Sequence, residues 1–459
     1  MYELGIWSYK VYHCHPEESG DVYEYFGYLG AVHWAPDFIT YLRRTSLGWI
    51  LVCLLDQCVA FSLAELASRY PTSAGPYYWS FQISQGNKTT ISFINAWIWL
   101  VDNWTITLSV NFGFASMLSA TISLYHPTRS ASSWQLLLTF YAVCLASLIV
   151  CIFANKYLPQ PITILGILLI VSIKPHTPRH SPSYTLSHYD KSFAGWGNFT
   201  FLIGLLPAAY TFSAIGMISS MAEECSNPAI KVPRTIALSV PVGGTAGLFF
   251  IIPLCATLPP LQDIISNVPD GQALPYILAR IMGSPGGGLG LVSLVLPSRY
   301  SARSALLSPR HAPHGPLPVT MPYHFRGFGR ASIRAGMLLG LINLGSSSAF
   351  TAFVSVGVIT LAAAYAIPIF LSLWYGREEV GKAPWNCGRI LGPVVNVIAL
   401  PWISFELVLF SMPTVLPVTP VSMNYASVVF VGFMAISVVW FLVYARKSYK
   451  GPPESDALD

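Results

Sequence analysis

Charged residues are scarce in this sequence. Only 10% of the 459 residues are Asp, Glu, Lys or Arg, whereas 53% are hydrophobic. An ordinary soluble domain carries roughly 25% charged residues, so this composition cannot supply a water-facing surface. A cleavable signal peptide is also missing, because Met1 to Gly20 is polar and contains no apolar core. We therefore expect the first apolar segment to act as the membrane-insertion signal.

Motifs for catalysis and metal binding are missing as well. The eight cysteines form no paired CxxC ligand set, and five of them lie inside apolar runs, as small buried side chains do. No HExxH motif, paired aspartates or Ser with a nearby His occurs at membrane depth. The basic residues are divided among loops rather than clustered on one face, which argues against a nucleic-acid partner. We expect no enzyme, no metal and no cofactor.

Long apolar runs are what the sequence does have. A helix needs about 20 apolar residues to cross about 30 Å of hydrocarbon. These runs predict an all-α, polytopic membrane protein with about 10 to 11 transmembrane helices in a lipid bilayer. The eight clearer runs are 47–67, 91–118, 132–154, 199–222, 235–257, 351–374, 390–412 and 421–445, and the three weaker ones are 160–173, 286–297 and 332–345.

One of these runs is interrupted by small residues. The stretch PAAYTFSAIGMISSMAEECSNPAIKVPR (207–234) has Ser213, Ala214, Ile215 and Gly216 near the middle of its helix. A break of this kind releases backbone N–H and C=O groups that lipid cannot satisfy, so it is tolerated where it lines a cavity or a binding site. We predict that residues 213–216 contact a substrate. The alternative is a glycine that only lets helices pack closely.

A polar stripe runs along the segment 91–118. Asn95, Asp102, Ser109 and Ser116 are seven residues apart, so they share one face of a helix. A carboxylate that faces lipid at the membrane centre costs about 2.5 to 3.5 kcal/mol. The stripe is therefore expected to face the bundle interior or a water path, with Asp102 and Ser109 as candidate substrate-binding residues.

Single acids stand in three of the apolar runs: Asp56, Asp102 and Glu406. Acids inside membrane segments are costly and are often functional. Asp102 has three possible roles at this stage, as the ligand of a substrate amine, as a proton carrier, or as a satisfied core group. Asp56 and Glu406 are open to the same alternatives.

Four long motifs resemble one known family. They are similar, in order, to fungal amino acid, GABA and choline permeases of the amino acid/polyamine/organocation superfamily. The motifs are FSLAELASRYPTSAGPYYW (61–79), YTFSAIGMISSMAEECSNPAIKVPR (210–234), LGSSSAFTAFVSVGVITLAAAYAIPIFLSLWYGR (344–377) and VLFSMPTVLPVTPVSMNYASVVFVGF (408–433). The resemblance implies a LeuT-type inverted-repeat bundle with substrate near the midplane, between broken first and sixth helices. It also implies a secondary active transporter of amino acids or small amines, driven by the proton gradient, in the plasma membrane or the vacuolar membrane.

The sequence departs from that family at three places. Residues 1–46 carry too many charges to supply the family's first helix, and the fifth helix is reduced to about residues 161–174. Residues 298–334 form a basic, Pro-rich loop where the family continues apolar. We expect an atypical N-terminal segment (1–46), an incomplete permease domain (47–445) and a cytoplasmic tail (446–459). Two alternatives to transport follow, a nutrient sensor built on the permease fold and a transport-inactive truncated permease.

Charged residues gather at two helix ends that we expect to be cytoplasmic. With alternating spans that side holds 17 of the 25 Lys and Arg residues, as the positive-inside rule requires. Glu65 and Arg69 are four residues apart, a spacing that suits a modest ion pair. Glu223 and Glu224 precede a proline stop and Arg234. By resemblance the loop with Glu223, Glu224 and Arg234 belongs to an inner gate, and a plain solvated helix end is the alternative. We assign Glu65 and Arg69 to the same gate.

Overall fold

The chain is helical throughout the residues that its computed structural model describes, apart from turns and short connections. Seven continuous helical stretches in this part of the chain, some of them made of more than one helix, are long and apolar enough to cross a membrane. The described residues are 45–126, 131–153, 180–181, 196–260, 263–264, 267, 272–290, 336–345, 347–413, 416–419 and 423–452.

The helices match most of the apolar runs. The main ones, in chain order, are α1 (Thr45–Arg69), α2 (Pro76–Ile83), α3 (Lys88–Tyr125), α4 (Ser133–Phe153), α5 (Thr200–Ile203), α6 (Leu206–Phe212), α7 (Pro228–Ala256), α8 (Ala273–Met282), α9 (Ile342–Gly345), α10 (Ser347–Trp374), α11 (Gly388–Leu409) and α12 (Ala426–Trp440). A 3₁₀ helix (Ser213–Glu224) follows α6, and the chain of α12 continues through a π turn (Phe441–Ala445) to a last short helix (Arg446–Ser448).

The weaker runs have different outcomes. The run 332–345 is a short helix, Gly336–Gly345, and 286–297 starts in a helical turn that leaves the described residues after 290. The run 160–173 lies outside the described residues, as do 1–44 and 298–334. Helices α2 and α8 were not predicted. At 8 and 10 residues they are too short to stand out as apolar runs.

Local sequence signals set several helix ends. Asn227 adopts a left-handed conformation with φ 61°, and Pro228 follows as the first residue of α7. Proline suits that position because its missing N–H would have no helical partner there. The chain leaves α10 through Gly376 and Arg377, which are both left-handed with φ of 67° and 61°. This turn points the Arg377 side chain back towards α1.

Helix α1 lies at the centre of one half of the bundle, packed against α6, α7 and α11. The indole N–H of Trp49 in α1 donates a hydrogen bond of 2.9 Å to the carbonyl of Gly244 in α7. A Cβ added at Gly247 would overlap the same indole ring. Small residues of this kind let membrane helices approach closely, and here they make room for a large aromatic side chain.

Helix α3 organises the other half, packed against α2, α4 and α10. Asn95 in α3 donates to the carbonyl of Pro76, to Ser80 Oγ and to the carbonyl of Ala364, at 3.0, 2.8 and 3.3 Å. One amide therefore ties α2, α3 and α10 together. Helix α12 lies at the edge of the bundle, since Ala426 and Ser437 are its only buried residues.

Candidate functional site

The apolar helix predicted to break at Ser213 changes geometry at that residue. α6 ends at Phe212, and 3₁₀ helix runs from Ser213 to Glu224. Runs of 3₁₀ helix longer than three or four residues are uncommon and often mark a hinge or a functional site. The side chains of Ala214 and Ile215 are buried in the hydrophobic core, so these two residues can offer a ligand only their backbone.

Serine hydroxyls satisfy part of the backbone at the break. Ser213 Oγ donates to the carbonyl of Tyr210 at 2.8 Å, and Ser219 Oγ donates to the carbonyl of Gly216 at 2.8 Å. The Ser213 hydroxyl is therefore already used within the helix. Any direct contribution of residues 213–216 to ligand binding stays a prediction.

Gly216 faces Tyr365 of α10 at very close range. A Cβ added at Gly216 would overlap the Tyr365 ring, so no larger residue fits without moving that ring. The Tyr365 hydroxyl is buried beside the backbone of Gly216 and Met217 and has no well-formed hydrogen bond. Tyr365 was missed from the sequence. Its signal was a lone phenol hydroxyl in the apolar stretch LAAAYAIP (361–368).

The polar stripe of α3 faces the bundle interior, as predicted. Asn95, Asp102 and Ser109 are each 0% exposed, and Ser116 is also buried. Ser109 Oγ and Tyr210 Oη are 3.0 Å apart, which joins the stripe to the helix that precedes the break. The stripe therefore lies against the broken helix rather than against lipid.

Asp102 is the ionisable residue of this stripe. Neither of its carboxyl oxygens has a hydrogen-bond partner, although the side chain is fully buried. It lies close enough to Tyr365 for the two groups to interact electrostatically, and the Tyr365 ring is 6.1 Å from the ring of Trp99. A buried carboxylate without partners is costly, so this arrangement calls for a proton or a cationic ligand. Asp102, Tyr365 and Gly216 together define what we call the α3–α10 site.

The ion pair predicted between Glu65 and Arg69 is wrong, because each residue pairs with the α10–α11 loop instead. Glu65 Oε1 accepts from Arg377 Nη2 at 2.7 Å and from the backbone N–H of Cys387 at 2.8 Å. Arg69 binds Glu379 at 2.7 Å. Only 1% of the Glu65 side chain is exposed, and a carboxylate so buried gains most from a partner that is buried with it. Arg69 is a third exposed and reaches the loop surface instead.

Glu379 stands between two cations at the surface of this loop. Lys382 Nζ is 2.6 Å from Glu379 Oε1, and Arg69 binds the other oxygen. The hydrogen bonds from Lys382 and then Arg69 lower the pKa of the Glu379 carboxyl to about 2. The stabilisation from this cluster is therefore complete above the ordinary carboxyl pKa and is lost as the pH falls towards 2. At neutral pH the loop stays fastened to the end of α1.

The other predicted gate residues stay predictions. The side chains of Glu223 and Glu224 lie outside what the structure describes. Arg234 is exposed on α7, and it forms no ion pair with any residue in the described part of the chain. The structure thus adds Arg377 and Glu379, which the sequence did not single out, to the charged residues at the end of α1.

An apolar helix bundle that buries an unpaired acid beside a broken helix is typical of a secondary transporter. The family model described as Amino acid permease (AA_permease_2) matches residues 42–296, more than half of the chain. The chain belongs to this family. It is therefore a multi-pass integral membrane protein of LeuT-type fold and a transporter rather than an enzyme.

Curated relatives carry several substrate names. The chain is 27% identical to the Amino-acid permease BAT1 of Arabidopsis thaliana over 88% of this chain and 85% of that protein. It is 24% identical to the Choline transporter of Saccharomyces cerevisiae over 89% of this chain and 76% of that protein. It is 25% identical to the Polyamine transporter TPO5 of the same yeast over 89% of this chain and 71% of that protein. Fungal amino acid, choline and polyamine transporters are thus among its homologues.

Gly392 in α11 is predicted to be essential for the Glu65–Arg377 ion pair. A Cβ at this position would overlap Arg377 Nη2 and lie 3.1 Å from Glu65 Oε1. Gly392→Ala should therefore displace the guanidinium and leave a buried carboxylate unpaired, at a cost of about 3 to 5 kcal/mol. The measurement is the thermal unfolding midpoint of the purified chain in detergent, which we expect to fall.

Gly432→Ala is the matched control, because Gly432 also lies inside a helix but has open space around it. Both substitutions gain the same helix propensity, so only the clash differs between them. If Gly392→Ala unfolds at the same temperature as Gly432→Ala, the ion pair does not depend on this glycine. Adding Glu65→Gln to Gly392→Ala should cost little more, since the pair would already be broken.

Proposed function

We propose that this protein is a secondary active transporter that binds the ammonium group of an amino acid or a small amine at Asp102. The observation that carries the proposal is the Asp102 carboxyl, fully buried and without a partner for either oxygen. A cationic ammonium would supply both the hydrogen bonds and the opposite charge that this group lacks. The names of the relatives support this chemistry, because amino acids and polyamines carry ammonium groups with N–H donors, whereas the quaternary ammonium of choline supplies the charge alone.

The surroundings of Asp102 suit a small ligand. Trp99 and Tyr365 place aromatic rings beside the acid, and aromatic faces attract ammonium groups through cation–π interactions. The Tyr365 hydroxyl adds a polar atom without a well-formed hydrogen bond. We place the other end of the substrate at the helix break, where the backbone of residues 213–216 passes the same tyrosine. GABA fits this description as well as a neutral amino acid does, and choline fits it through its charge alone.

We further propose that the proton gradient drives transport and that the plasma membrane is the site of action, with the vacuolar membrane as the alternative. The fastening of α1 to the α10–α11 loop suits an inner gate, because its outer ion pairs are exposed and can exchange with water. Opening would separate Arg69 from Glu379 at small cost, as exposed pairs contribute only about 0 to 1 kcal/mol. The buried Glu65–Arg377 pair would stay intact.

Asp102→Asn should abolish most of the ligand affinity. The isosteric amide keeps the packing but loses the charge, and truncating one partner of a buried charge pair costs about 2 kcal/mol or more, roughly 30-fold in Kd. The measurement is equilibrium binding of radiolabelled choline, spermidine and alanine to the purified chain. The control is Ser116→Ala, which lies on the same face of α3 two heptads from Asp102. This variant should bind the ligands with the affinity of the wild type. Equal affinity of Asp102→Asn and the wild type for every bound ligand would exclude Asp102 as the ammonium site.

A comparison of Gly216→Ala with Tyr365→Phe tests whether the contact between Gly216 and Tyr365 is part of a binding site or serves packing alone. The alanine must push the tyrosine ring aside, whereas the phenylalanine keeps the ring and removes only the hydroxyl. We expect Gly216→Ala to lose both binding and stability, and Tyr365→Phe to lose binding at unchanged stability. Normal binding by Tyr365→Phe would show that the Gly216–Tyr365 contact serves packing alone.

Uptake assays in a permease-deficient yeast then complete the test. Binding with uptake supports a transporter. Binding at correct surface expression without uptake would favour the nutrient sensor or the transport-inactive permease, which the atypical residues 1–46 make the main alternatives.

A further inference from the structure

A ladder of polar contacts joins α1 to α11, which run in opposite directions. Ser68 Oγ accepts the backbone N–H of Trp385 at 2.9 Å, just before α11 begins. Deeper in the bundle, Ser62 Oγ donates to Asn396 Oδ1 at 2.8 Å. Because the two helices are antiparallel, residues with lower numbers in α1 contact residues with higher numbers in α11. The ladder therefore leads from the Glu65–Arg377 pair towards the middle of both helices.

The ladder ends at a second group of buried acids. Asp56 is only 4% exposed, and its Oδ1 accepts the indole N–H of Trp402 in α11 at 2.8 Å. The other oxygen, Oδ2, has no partner. Glu406, 7% exposed, lies one helical turn beyond Trp402 on the same face of α11 and interacts electrostatically with Asp56. Two acids that stood alone in the sequence therefore meet across α1 and α11.

The described residues around this pair offer it no cation. None of the ion pairs among the described residues includes Asp56 or Glu406. In the described part of the chain, the titratable groups that interact with Asp56 are Glu406 from α11 and the thiols of Cys53 and Cys58 on α1 itself. Within the described residues, helices α6, α7 and α10, which also pack on α1 or α11, contribute no titratable group to this interaction. Two neighbouring carboxylates in an apolar environment cannot both be ionised, so the pair calls for at least one proton.

We propose that Asp56 and Glu406 form a proton-binding site between α1 and α11, separate from the α3–α10 site. The pair binds at least one proton, taken up from water and returned to it, and so does not carry two negative charges. The indole N–H of Trp402 donates to the Asp56 carboxyl and fixes the orientation of that group. Because the acids lie on different helices, the number of protons bound is coupled to how α1 and α11 fit together. The proposal does not rest on substrate binding at Asp102.

The test is a pH titration of the full chain in lipid nanodiscs, followed by infrared difference spectroscopy of the protonated carboxyl C=O band. In Asp56→Asn and in Glu406→Gln one titrating carboxyl should vanish and the titration midpoint of the other should move by about 1 pH unit or more, as coupled sites require. The double variant should lose both signals. Asp102→Asn, the control, should leave the titration of the pair unmoved while it removes the signal of its own carboxyl.

Three results would overturn the proposal. The first is independent titration, in which each single variant leaves the curve of the other acid in place. The second is a pair that shows no protonated band at neutral pH in the wild type. The third is displacement of the band by Na⁺ at constant pH, which would assign the site to a metal cation.

Size-exclusion elution and thermal unfolding of each variant verify folding. If the acid variants do not fold, Trp402→Phe keeps both acids and removes only the indole donor. It should still shift the titration of the pair, and an unshifted curve would count against the proposal. Loss of ligand affinity in Asp102→Asn, by contrast, tests only the α3–α10 site, so the two proposals can fail separately.

Discussion

A carboxylate buried in a membrane protein must be compensated by a cation, a proton or several hydrogen-bond donors, and this constraint shapes the bundle. Four acids are buried in the described helices: Asp56, Glu65, Asp102 and Glu406. Glu65 is compensated within the protein, by a buried guanidinium and a backbone N–H. The other three form no ion pair with any cation among the described residues. We propose a cationic ligand as the compensation at Asp102 and a proton as the compensation between Asp56 and Glu406.

Two helices connect these places. Helix α1 carries Asp56 and Glu65 and packs against the helices on either side of the break. Helix α10 carries Tyr365, and its last turn leads directly to Arg377, so the same helix contacts the broken helix and the buried ion pair. Pro368 lies inside α10, between these two contacts. A proline in a helix interior removes one helical hydrogen bond, so the backbone hydrogen bonding of α10 is incomplete between these two contacts.

The amount that could be predicted from the sequence differs between helices and contacts. Apolar length identified the spans, and a seven-residue spacing was enough to turn Asp102 and Ser109 inward, because both signals are local. The pairing of Glu65 with Arg69 failed because helix spacing says nothing of a loop more than 300 residues away that offers a better buried partner. Asp56 and Glu406 were visible only as lone acids, since their meeting depends on the antiparallel packing of α1 on α11. Tyr365 was hidden for a related reason: its importance comes from a glycine on another helix.

The central claim is that an ammonium group compensates Asp102. The most direct measurement is an electron cryomicroscopy map of the protein in a lipid nanodisc with a saturating amine ligand such as spermidine. The account predicts ligand density between α3, α10 and the 3₁₀ segment, with a nitrogen within hydrogen-bonding distance of the Asp102 carboxyl. Density for the ligand at another place in the bundle, with Asp102 still unpartnered, would contradict it.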